Sequence, residues 1–178
     1  VETAASLHSY LRKHDLHSSD NVVFKDVYAL QEFFKSGIGM PEVRFYDRNG
    51  YLMLYRDEKK CNGQNDSLIS FLNPENVVKV DSSQNIKVYV SNLRQPDGQE
   101  IQSASLNGYD YYLLIYWAKY LGKVNSEKMQ DWESALNSKS SALNIKAMKV
   151  ATDYMDFWQF PEKDMHKIYS RKTKVDSH

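Results

Sequence analysis

The side chains able to do chemistry in this sequence are few and scattered. Cys61 is its one thiol, set in the run DEKKCNGQND. An internal disulfide is therefore impossible. Lys59 and Lys60 would favour a thiolate, but no histidine or second thiol adjoins it, and the charged, turn-forming neighbours describe an exposed loop. His8, His14 and His17 crowd the N-terminus. On a helix His14 stacks one turn from Tyr10 and Leu11 while His8 points elsewhere. No cysteine or carboxylate completes a ligand set, so no metal is expected. The sequence has no G-x-S-x-G, no glycine-rich phosphate loop and no H-E-x-x-H. Its carboxylate pairs fall in no segment that reads as a cleft wall. What remains is aromatic: Tyr109, Tyr111, Tyr112, Tyr116, Trp117 and Tyr120. Most of these should be core. Tyr109 and Tyr120, at the two ends of the run, could present hydroxyls for contact with protein or carbohydrate.

The element that must position this patch is Tyr111–Trp117. Both alternating sets are apolar or aromatic, which predicts a central strand covered on each face by helices. A turn over Lys119–Val124 and a helix should follow, capped by Asn125 or Ser126, with Met129, Trp132, Ala135 and Leu136 at helical spacing. Upstream, Leu7, Tyr10, Leu11 and His14 mark a helix. Asn21–Asp26 reads as a strand. Asp26 should cap a helix running to Ser36, with Leu30, Phe33 and Phe34 buried and Gly37 and Gly39 ending it. Val43 and Phe45 open a hairpin that turns at Arg48–Gly50 and returns over Tyr51–Tyr55. Asp66 should cap a helix holding Leu68, Ile69, Phe71 and Leu72. A polar connection over 73–85 contains a short strand, Val77–Val80. Ile86, Val88 and Val90 alternate with Lys87 and Tyr89 as a strand does. Pro96-Asp97-Gly98 is a turn, Ile101–Leu106 and Ile145–Val150 are strand-like, and Tyr154, Phe157 and Trp158 suggest a helical face. A short helix over Lys163–Arg171 and a fraying tail complete the chain.

Two stretches resemble a known family. The run WAKYLGKVN resembles the WASWCGPCR-type active-site segment of thioredoxin-like proteins with both cysteines replaced. NLRQPDGQEIQSASLNGYDYYLLIYWA before it and NIKAMKVATD after it look like the neighbouring parts of the TlpA-like branch. The resemblance covers roughly Ile86–Trp158. It sets Leu121 and Val124 where the two cysteines would stand and Lys123 at the turn proline, so dithiol chemistry does not carry over. The N-terminal half resembles the end of the same fold: helix, proline, strand, D-x-N-G turn, strand, helix. In that family the proline is cis and faces the active-site turn, which implies a cis Met40–Pro41 bond. Read without the resemblance, Pro41 is a trans proline at the first residue of a strand. The order of parts implies a single α/β domain over 1–178, a thioredoxin-like central mixed sheet with helices on both faces. Its second half would be supplied by residues 1–73 and its first half by 84–178, in permuted order. Glu42–Asp47 would then lie antiparallel to Tyr111–Trp117, within one chain or across a domain-swapped dimer. Asn21–Asp26 and Ile145–Val150 would compete for one position, leaving one of them as an extra edge strand.

At 178 residues, 42% apolar and 13% aromatic, the chain suits one folded domain with a full-sized core, or two very small ones. Its 23 basic residues balance 23 acidic ones, which points away from nucleic acid. No apolar run is long enough to span a bilayer. The sequence does not open with Met, and with the resemblance this suggests an exported, periplasmic or lipid-anchored product. The resulting expectation is a redox-inactive binding or interaction module without cofactor, gripping a protein or small-molecule partner through Met40, Pro41, Trp117, Tyr120, Leu121 and Val124. The alternatives are an oxidoreductase-like enzyme, using a thiol or not, and a structural domain of an exported bacterial assembly.

Overall fold

The fold is built outward from β6, Tyr111–Trp117, whose seven residues are all buried. The computed structural model of the chain describes residues 1–17, 19–54, 69, 72–73, 78–102 and 106–158. Within them β1 is Asn21–Phe24, β2 Glu42–Tyr46, β3 Tyr51–Met53, β4 Val80–Asn85, β5 Leu93–Arg94 and β7 Ile145–Ala151. The helices are α1 Ala4–Lys13, α2 Val27–Lys35, α3 Ile86–Val90 and α4 Gly122–Lys139. One seven-stranded mixed sheet has the order β4-β3-β2-β6-β7-β1-β5. β6 sits in its middle, antiparallel to β2 and parallel to β7. A strand apolar on both sides needs neighbours on each edge and helices over both faces, and that position supplies them.

Register assigns the two faces. Glu42 pairs with Tyr116, Arg44 with Leu114 and Tyr46 with Tyr112, so these six side chains share one face. Phe33 of α2 stacks on Tyr116 there, with ring centroids 4.5 Å apart. Tyr89 of α3 lies over Tyr46. The other face carries Trp117, on which Tyr10 of α1 stacks at 5.5 Å. It also carries Lys149, ion-paired at 2.6 Å with Glu133 of α4. Helices thus cover both faces of a mixed α/β fold.

Caps set most helix starts. Thr3 and Ser6 form a capping box at α1, and Asp26 accepts the Ala29 N–H at the start of α2, each satisfying an otherwise orphaned donor. Several expectations need correction. Ile86–Val90 is helical, because the Asn85 side chain accepts the Lys87 N–H and starts a turn. The helix after β6 begins at Gly122, so Asn125 and Ser126 are buried inside it and cap nothing. Phe34 is exposed, because Leu30 and Phe33 already fill the inner face of α2. The return strand stops at Met53, and the strand after the connection is the polar Val80–Asn85. Ile101 and Gln102 form no strand, the nearest pairing being a bridge between Arg94 and Glu100, and residues 103–105 of that expected strand lie outside the described residues. Residues 153–158 are turns around a bridge from Met155 to Glu2, without a helix. Neither β1 nor β7 is an edge strand; β7 lies beside β6 and β1 beside β7. Cys61, the Asp66 cap and the helix over 163–171 lie outside the described residues.

One connection shapes the sheet. Seven strands laid flat would separate β4 from β5 by roughly 29 Å, six gaps of about 4.8 Å. The segment between them is one helical turn and a few linking residues, which reach only roughly 20 Å. The sheet must therefore curl toward the face that carries α2 and α3, leaving that side concave.

Candidate functional site

Three chain segments meet at the C-terminal end of β6. The first is the turn itself: Ala118, a 3-10 turn over Lys119–Leu121, and the start of α4 at Gly122. Gly122 sits at φ 60, a conformation that L side chains rarely adopt, and its carbonyl accepts a hydrogen bond from the Tyr10 hydroxyl. A residue with a side chain could not turn this corner as cheaply. The second segment is Met40–Pro41, joined by a cis peptide bond. The β2–β6 register, with Glu42 opposite Tyr116, carries it alongside Trp117 and Ala118. The third is Thr152–Asp153, just past β7. The Thr152 N–H bonds the Trp117 carbonyl at 2.8 Å, and the Thr152 hydroxyl reaches both that carbonyl, at 3.1 Å, and the Met40 sulfur, at 3.8 Å.

The six residues singled out in the sequence fare differently. Tyr120 and Val124 stand out in solvent, at 66% and 64% exposure. Met40, Pro41 and Leu121 are half-buried around them. Trp117 is completely buried, with its indole N–H given to Asn21 and its ring under Tyr10. It supports the site from below and offers no surface to a partner. Tyr154, 39% exposed, extends the patch.

Sequence reasoning missed the charges beneath this patch. Asp153 is buried and accepts the Lys119 backbone N–H at 2.8 Å. Burial pushes its carboxyl up to about 6, a rise that the Lys119 N–H and the Lys119 charge only partly oppose. Lys119 turns its ammonium to Glu2 at 2.6 Å. Burial raises the Glu2 carboxyl, but the bonds from Lys119 and Ser6 outweigh it and leave its pKa lowered. The aspartate at the end of NIKAMKVATD is visible in sequence. The Glu2–Lys119 pair joins residues with no local pattern between them, so only the fold could reveal it. Among the described residues no group of three His, Cys, Asp or Glu side chains could hold a metal ion. The described part of this site contains no thiol and no Ser–His or Cys–His pair. Its chemistry is that of an aromatic and aliphatic surface over a buried, readily protonated carboxyl. No helix among the described residues is long and apolar enough to cross a membrane.

Comparison with known proteins gives no match: no protein-family model, no curated protein and no solved structure is similar to this chain.

Proposed function

We propose that the chain is a thioredoxin-like fold in permuted order that binds a partner without redox chemistry. On this reading the former active-site end of β6 is the contact surface. The observation that carries it is the antiparallel pairing of β2 with β6, which brings Met40–Pro41 beside the Ala118–Val124 turn. The parallel β7 on the other side of β6 is consistent with the same frame. Disulfide exchange needs an attacking thiolate and a thiol to resolve the mixed disulfide; Leu121 and Val124 supply neither. Exposed Tyr120, Val124 and Tyr154 have the amphipathic character typical of contact surfaces.

The test has two arms. Pure protein should reduce insulin disulfides no faster than a heat-denatured control, and measurable turnover would sink the redox-inactive reading. In pull-downs from the native host, the double variant Tyr120→Asp/Val124→Asp should lose bands that the wild type retains. Phe34→Asp, an exposed change on α2, should keep them. If both variants capture the same bands, the binding surface lies elsewhere.

A further inference from the structure

The concave side of the sheet holds a cavity of about 600 Å³ between α2, α3 and the strands beneath them. Phe24, Phe33, Ile38 and Leu93 give it apolar walls, and Lys25, Asp26, Glu32, Gln84 and Asn92 are polar or charged parts of the same lining. Into this space faces Arg44, half-buried on β2, one strand away from the centre of the sheet. A guanidinium taken out of water normally finds a carboxylate, because uncompensated burial of charge is costly. Among the described residues Arg44 has none within salt-bridge distance. Its partners are neutral: Gln84 Oε1 and the Tyr89 hydroxyl, each at a long 3.4 Å, the buried Tyr46 hydroxyl beside it, and the Tyr89 ring, whose centroid is 5.8 Å from Cζ. The Tyr89 hydroxyl is fixed in turn by a 2.6 Å bond to Gln84. Tyr116 lines the cavity beside them, and burial holds its hydroxyl above the ordinary tyrosine range, so it is neutral at physiological pH. The acids that line the cavity are already engaged. Asp26 caps α2 through Ala29, and Glu32 pairs with Lys35.

We propose that this cavity binds a small organic monocarboxylate with an aromatic or short aliphatic body, its carboxylate forked by Arg44. The volume lies in the usual range for small-molecule sites, which combine apolar walls with a few placed polar groups. Two long contacts and the Tyr46 hydroxyl leave part of the five-donor guanidinium available, and its planar fork matches a carboxylate. Lys25 also lines the cavity, but Asp26 and Glu32 line it too, so Arg44 is the cation left to match a single negative charge. Tyr89 stacks against the guanidinium and, through Gln84, keeps it turned to the cavity. The site lies on the opposite face of the sheet from Trp117 and does not depend on the binding surface at the end of β6.

The experiment is calorimetric titration with 2-naphthylacetate and with its uncharged amide. Wild-type protein should bind the acid about tenfold or more tightly than the amide, as expected for a desolvated charge-assisted pair. Arg44→Gln should reduce that ratio to near one while leaving amide binding in place. Tyr89→Phe, which removes only a hydroxyl from a half-buried residue, should weaken acid binding severalfold without changing the melting temperature. Should Arg44→Gln fail to fold, the Tyr89→Phe titration and amide-proton shifts of Asn92 and Gln84 on adding the acid decide the matter. Equal affinity for acid and amide, no binding by the wild type, or shifts confined to the Tyr120 surface would each overturn the proposal. Tighter binding of inorganic phosphate than of the acid would overturn the assigned ligand class.

Discussion

Asp153 is the residue whose surroundings alter its chemistry most clearly. It is buried at the end of β7, held by one backbone N–H, and its carboxyl is pushed up to about 6 because burial disfavours the charged form. In the unfolded chain the same group ionises near about 3.9. Between those values the folded state keeps a proton that the unfolded state has lost. Stability from this group is therefore fully present below about pH 4, falls as the pH rises to about 6, and stays flat above that. Asp153→Asn keeps an oxygen for the Lys119 N–H and never ionises. It should raise stability at neutral pH by about 2 kcal/mol and flatten the fall across that window, as read by urea unfolding at several pH values. A variant less stable than wild type at neutral pH would mean that the carboxylate's bond to Lys119 outweighs its burial. Leu121 and Val124 also differ from each other. Leu121 is half-buried and Val124 is 64% exposed. Leu121→Ser should lower the melting temperature, at a cost of roughly 1 kcal/mol, whereas Val124→Ser should leave it within experimental error. Equal losses in thermal melts would show that Val124 is covered in solution.

At the scale of elements, the contact between α4 and β7 is the most demanding. Lys149 and Glu133 meet at 2.6 Å and are almost wholly buried, and Glu133 also accepts the His17 N–H. Such a pair contributes little net stability when complete but is costly to break. Lys149→Met should destabilise by roughly 3–5 kcal/mol in denaturant titrations. Adding Glu133→Leu should restore only part of that, because the His17 N–H would then lose its acceptor. Full additivity of the two losses would show that the charges do not interact. The β2–β3 turn makes a steric demand. Gly50 has φ +82, and a Cβ there would lie 2.9 Å from Ile86 Cγ2. Gly50→Ala should cost roughly 1–3 kcal/mol, from the strained backbone and the close approach of α3 together; a melting temperature like that of the wild type would show that α3 can move aside.

For the whole molecule, the connection from β4 to β5 matters most. It is too short to cross a flat sheet, so it fixes the curl that makes one face concave and sets Arg44 inside. Lengthening it within Ser91–Asn92 by a few glycines should relax that curl. Loop-closure theory makes such an insertion cheap, about 1 kcal/mol, so the protein should still fold. 2-Naphthylacetate affinity should nevertheless fall severalfold in calorimetry. Unchanged affinity would mean that α2 and the strands alone define the cavity.

The sequence by itself determined β6 as the central strand, because only two-sided burial explains an apolar run on both alternations. It also determined α1 and α2, whose apolar spacing and, for α2, the Asp26 cap act within a few residues. The antiparallel pairing of Glu42–Asp47 with Tyr111–Trp117 is expected only through the family resemblance, since only against that frame does each half of the chain lack a strand that the other supplies. Ile86–Val90 misled because its alternation suits a strand while a single Asn85 cap tips so short a segment into a helix turn. Only the tertiary structure decided where β1 and β7 sit, that Trp117 is buried while Tyr120 is exposed, and that Glu2 meets Lys119. It alone set Arg44, Gln84, Tyr89 and Tyr116 around one cavity. Those contacts join residues far apart in the chain, and their energies depend on burial and distance, which local pattern does not encode.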